Sequence, residues 1–198
     1  MTFILPSFAG AHGKSGVTFT PTLYTFTNGS GSINIPYGAI NLVIESWGGG
    51  GAGGNATNNP PFGIIPGSPG AAGGYSRSTY NITGQSTKTI NYSVGNGGSS
   101  GGQSGSATTV TSGTFSITSM TDNGGGSVFT MGAAYGGSAT GGNIANITGQ
   151  NNFDATPAGN STGTTGINGG PYGAGGAGSN GSGNNISGQS GAVIFYFT

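Results

Sequence analysis

The chain has 198 residues, 47 of them Gly, and Gly, Ser, Thr and Asn together make up 115. Three basic and three acidic side chains, one histidine and no cysteine, at zero formal net charge, rule out disulfides; they give acid–base or metal chemistry little to gather and offer duplex nucleic acid too few cations. No catalytic, cofactor or metal residue is therefore assigned, and no apolar stretch approaches the roughly 20 residues of a membrane-spanning helix, so neither an enzyme, a nucleic-acid binder nor a membrane-inserted protein is expected.

Residues 1–20 show no clear period and read as an N-terminal arm for docking, lacking the basic region and long apolar run of a signal peptide. Gly13-Lys14-Ser15 lacks the upstream Gly of a phosphate loop, because position 8 is Phe8. Residues 21–198 form a single glycine-rich domain. Residues 23–27 (LYTFT) predict a strand, and Asn28-Gly29 before Ile33 and Ile35 predicts a hairpin. Pro36-Tyr37-Gly38 predicts a turn. Residues 41–47 (NLVIESW) alternate, with Leu42, Ile44 and Ser46 on one face and Val43, Glu45 and Trp47 on the other. Trp47 reads as a lid on the core, and residues 48–74 as a long Gly/Pro/Asn loop.

Further strands are predicted at 75–80, 87–94, 107–110, 114–120 and 128–131. Gly97-Gly-Ser99-Ser-Gly101 matches a nucleophile pattern by glycine abundance alone, without the strand–turn–helix setting it requires. Residues 132–190 are poor in large apolar side chains. The final run, residues 192–197 (AVIFYF), predicts a central strand buried on both faces.

Isoleucine outnumbers leucine 15 to 3, which suits pleated strands, whereas each Gly in a helix costs about 1 kcal/mol relative to Ala. The fold class is therefore all-β: an antiparallel β-sandwich, jelly-roll-like, with long Gly-rich loops. Its predicted core is Leu23, Phe26, Ile33, Ile35, Leu42, Ile44, Ile90, Tyr92, Val94, Phe115, Ile117, Val193, Phe195 and Phe197. The apolar Phe62, Ile64 and Ile65 lie outside the strands and predict a covering partner, a homo-oligomer with a trimer favoured.

Asn81-Ile-Thr-Gly-Gln85 recurs at 146–150, and nearly at 185–189, which reads as a repeated glycine-containing turn. Glycines three apart (163, 166, 169; 170, 173, 176; 175, 178, 181) fit an extended helix of three residues per turn. Gly at every third position clears one face, so such helices can pack by backbone hydrogen bonds, as in polyglycine II. Residues 132–190 are expected to pack this way and to face partners. Tyr135 and Tyr172, set among glycines, are the candidate contact residues.

Several motifs come in a fixed order: the strand ending Glu45-Ser46-Trp47 before a Gly run, Gly73-Gly74-Tyr75, the Gly84-Gln85 turn, residues 89–95 (TINYSVG), and the closing Gly191-Ala-Val-Ile. This order over residues 21–198 resembles the glycine-rich domain of bacteriophage tail fibre and minor tail proteins. The resemblance implies a virion surface component, often concerned with host attachment. It implies contacts to other virion proteins through residues 1–20 and to a host surface glycan, and it brings no catalytic residue. A purely architectural capsid decoration or spike is the alternative.

Overall fold

A computed structural model describes residues 19–61, 63–65, 67–99, 102–128, 132–152, 172–175 and 187–198. Among them are twelve strands and no α-helix. Strands β1 (Thr22–Phe26), β12 (Ala192–Phe197), β3 (Asn41–Trp47), β6 (Tyr75–Asn81) and β11 (Ala145–Ile147) form one antiparallel sheet, in that order. The second follows the order β10 (Ala139–Thr140), β9 (Met120–Asp122), β8 (Thr108–Ser112), β7 (Thr89–Ser93), β2 (Ser30–Asn34). A hairpin of β4 (Thr57–Asn59) and β5 (Gly63–Ile65) stands apart.

The two large sheets enclose one core. Leu42, Ile44, Ile90, Val110, Met120, Val193, Phe195 and Phe197 are fully buried, and Ile33, Ile35, Val94 and Ile117 nearly so. Phe26, Tyr92 and Phe115 pack on this cluster half-buried; the Phe26 and Tyr92 rings stack at 4.1 Å. The period-two reading of β3, β7 and β12 therefore holds.

Five expectations need correction. Leu23 is 60% exposed: β1 pairs with β12 with Leu23 opposite Tyr196, and both side chains point to the outer face. Asn28-Gly29 does not close a hairpin, because β1 and β2 belong to different sheets. Gly29, at φ 71°, turns a corner between them, and its carbonyl accepts from Val94 N–H at 2.8 Å. Residues 114–119 are not a strand; they join β8 to β9, with Ile117 N–H held by the Ser112 hydroxyl at 3.0 Å while Phe115 and Ile117 cap the core. The last strand is interior to its sheet, but among the described residues no layer covers its outer face, where Tyr196 is 40% exposed. Phe19, ahead of β1, also touches the core cluster. Residues 1–18, Phe62 and 129–131 lie outside the described residues.

The fifth correction concerns residues 48–74. They do not form a simple loop: 48–54 and 67–74 are almost wholly buried. At one end of the sandwich the strands run on into glycine-rich segments, which bond to one another through the backbone. Successive N–H groups from 48 onward turn to three neighbours. Gly48 donates to Gly74 O, Gly49 to Ser106 O and Gly50 to Gln189 O; Gly51 then returns to the first neighbour at Ala71 O and Ala52 to the second at Gln103 O, all at 2.8–3.0 Å. A second segment repeats the period: Ala71 donates to Gly126 O, Ala72 to Gln150 O, Gly73 to Gly173 O, and Gly74 to Asn123 O. Three residues per turn is the period of an extended helix, and the set of segments is a polyglycine-II lattice.

Glycine is needed there for space. A Cβ on Gly49, Gly50 or Gly51 would sit 2.1, 1.9 or 2.1 Å from a neighbouring carbonyl oxygen. Within segments 48–54, 67–74, 95–98, 103–106, 123–126, 134–138, 149–152, 172–175 and 187–191, Gly173 alone has positive φ. Within 132–190, the described segments 134–138, 149–152, 172–175 and 187–190 take part in this packing, whose centre is at 48–54 and 67–74; 153–171 and 176–186 lie outside the described residues. Of the triplet glycines, Gly173 bonds within the lattice, accepting from Gly73 N–H and donating to Ser190 O; Gly175 is the other described one, and the rest lie outside the described residues.

Candidate functional site

Three places carry side chains that could meet another molecule or respond to solution conditions. The first is where β3 and β6 enter the lattice. Trp47 and Tyr75 are buried there, cross-strand neighbours with ring centroids 5.0 Å apart. Tyr172 lies on Trp47 at 5.4 Å. Tyr75 donates its hydroxyl to Glu45 Oε1 at 2.6 Å, and Arg77 Nε stands 3.8 Å from the same oxygen. Trp47 does not lid the main core but is buried in a separate cluster with Tyr75 and Ala192, and Tyr172 is half-buried, with one wall facing a cleft of about 340 Å³ lined also by Thr27, Asn28, Gln189, Ser190 and Gly191. Tyr135 is 65% exposed on a different lattice segment, where its carbonyl accepts from Gly126 N–H. The two candidate tyrosines are not brought into one cluster.

The second is the outer face of the first sheet. Leu23, Val43, Ile194 and Tyr196, with Glu45 and Arg77, line an open groove of about 390 Å³, and Ile147 lies exposed on the neighbouring strand.

The third is internal. Asp122 ends β9 at 0% exposure, where the apolar core gives way to the lattice. Ser46 of β3 and Ser76 of β6 each donate a hydroxyl to one of its carboxylate oxygens, joining the two sheets. Burial pushes its pKa from 3.8 up to about 6, against the lowering effect of the two serine hydrogen bonds. The sequence held a signal for it: Asp122 shares an inward phase with Met120 two residues earlier. The cleft residues Asn28 and Gln189 carried none, since tertiary structure alone joins positions so distant. Among the described residues there is no group of three or more His, Cys, Asp or Glu side chains.

Two antiparallel sheets continued by a backbone-bonded glycine lattice define a glycine-rich β domain. A family model described as the glycine-rich domain matches residues 25–198. The chain belongs to that family. Comparison with curated proteins finds no match.

Proposed function

We propose that the chain is a non-enzymatic structural protein of the bacteriophage virion surface, a tail-fibre or spike-type component that takes part in host attachment. The observation that carries this reading is the lattice. It builds a neutral, cysteine-free body from backbone hydrogen bonds. Such a body needs no disulfide to stay folded outside a cell, and the connections between its segments are free to vary in sequence without disturbing those bonds. The ordered motifs that resemble phage glycine-rich domains fall within the matched residues. Mass-spectrometric inventory of purified particles, combined with competition of adsorption by soluble protein, tests it. A few copies per particle and blocked adsorption are expected; absence from particles would refute it.

A second reading, a capsid decoration or spike with a purely architectural role, is favoured by the uncovered apolar face of Leu23, Val43, Ile194 and Tyr196, which a neighbouring subunit would bury. High copy number with unaffected adsorption would select it. On either reading the protein is a homo-oligomer, with a trimer favoured, and light scattering of the full chain reads its state.

A further inference from the structure

The attachment reading implies a host surface glycan and offers Tyr135 and Tyr172 as contacts, without a defined site that holds it. The cleft beside Tyr172 has the chemistry of a ligand site. Thr27 and Asn28 come from the corner after β1, Gln189, Ser190 and Gly191 from the segment leading into β12, and Tyr172 forms a wall. The frame is rigid. Gln189 N–H donates to Ala174 O at 2.8 Å, and its carbonyl accepts from Gly50 N–H at 2.8 Å. Ser190 O accepts from Gly173 N–H and Gly191 N–H donates to Gly95 O, both at 2.9 Å. Trp47 backs the Tyr172 ring, and Tyr75 backs Trp47. Among the described residues, the side chains of Thr27, Asn28, Gln189 and Ser190 make no hydrogen bond within the protein. Fixed walls and free polar groups are what a binding cleft needs, since ordering costs are met during folding.

We infer that this cleft binds a neutral saccharide, with one sugar ring laid by its C–H face on Tyr172 and its hydroxyls bonded by Asn28, Gln189 and Ser190. An aromatic face carries negative charge density that attracts C–H groups. Amide and hydroxyl side chains both donate and accept, which matches sugar hydroxyls. No lining residue is charged. Arg77 faces Glu45, and Lys88 precedes β7 at the end of that strand remote from the lattice. An anionic sugar would therefore find no counter-charge among the described residues. The inference takes its biological setting from the attachment reading and its chemistry from the cleft alone.

The test is titration of the full chain with glucose-, galactose-, mannose- and N-acetylglucosamine-based neutral oligosaccharides, and with sialyllactose as the acidic comparison. The readouts are saturation-transfer NMR and the emission of Trp47, the sole tryptophan, whose ring lies 5.4 Å from that of Tyr172. Saturable binding of at least one neutral sugar is expected, weakened about tenfold, or 1.4 kcal/mol, by Tyr172→Ala. Asn28→Ala and Gln189→Ala should each weaken it several-fold, while Tyr37→Ala, at an exposed turn outside the cleft, leaves it intact. If Tyr172→Ala fails to fold, the exposed Gln189→Ala variant decides. No saturable binding, binding of sialyllactose only, or binding indifferent to the cleft variants would overturn the inference. The titration judges the cleft and the particle inventory judges the attachment reading, so either can fail without the other.

Discussion

Strand β12 passes from one kind of packing to another within two residues. Phe195 and Phe197 are fully buried among side chains of both sheets. Just before the strand, Gly191 is buried against backbone, and a Cβ there would lie 2.1 Å from Trp47 O. In the sandwich, stability scales with the apolar area that each side chain removes from water, about 25 cal/mol per Å². At the centre of the lattice, 48–54 and 67–74, most residues are Gly or Ala. Ala52, Ala71 and Ala72 are among its buried residues, and backbone N–H and C=O groups satisfy one another across segments. Each such bond contributes about 0.5–1.5 kcal/mol net, but a buried peptide group left without a partner would cost more, so the array is strongly interdependent. A side-chain core can yield to either trimming or filling at a cost of a few kcal/mol, whereas a lattice walled by backbone has nothing that can move aside for an added carbon.

That contrast is broken or sharpened by single substitutions. Gly50→Ala places a carbon 1.9 Å from Ala174 O in the centre of the lattice. Because the obstacle is backbone, the clash should exceed the roughly 1–3 kcal/mol of ordinary overpacking; loss of the cooperative thermal transition is expected, and a near-native melting temperature would refute the lattice. Phe195→Ala empties the sandwich core and should cost about 3–5 kcal/mol by denaturant unfolding, with the transition still cooperative.

At the junction, Asp122 couples the two packings to pH. Its folded pKa, about 6, lies above its ordinary value of 3.8. The folded state therefore favours the protonated form: the stabilisation is full below pH 3.8 and is lost as pH rises through about 6. The protein should melt higher at pH 5 than at pH 8. Asp122→Asn keeps the shape without the charge; it should remove most of that difference and stabilise the fold at pH 8 by up to about 3 kcal/mol. A melting temperature equal at both pH values would contradict the buried ionisable pin.

Gly84 offers the complementary control. It has φ 73° and open space around its Cβ position, so Gly84→Ala should cost only the left-handed strain of about 1–2 kcal/mol. If Gly84→Ala proved as damaging as Gly50→Ala, space would not be what the lattice requires. Leu23→Ala should be nearly silent, within about 0.5 kcal/mol, because Leu23 stands on the uncovered face; a core-sized loss would mean that a partner or a second copy covers that face.

Alternation of apolar residues was enough to place β3 and β7, an unbroken apolar run placed β12, and together they named most of the core, because a strand's side-chain period is local and the burial of one face follows from it. Composition was enough to expect glycine packing. Which glycines would pack was not legible, because the constraint on Gly50 is a carbonyl at position 174, and no local pattern encodes that distance. The site behaved likewise: Tyr172 stood out among glycines, but its partners Asn28 and Gln189 were joined to it only by tertiary structure. The repeated pentapeptide makes the point with identical residues. At 81–85 (NITGQ) it is a turn, with Gly84 at φ 73° and Gln85 N–H bonded to Ile82 O at 3.0 Å. At 146–150 the same five residues enter the lattice: Gly149 has no positive φ and donates to Gly137 O, and Gln150 O accepts from Ala72 N–H. Glycine permits both conformations at little cost, so the choice between them belongs to the neighbouring backbone that offers the hydrogen bonds.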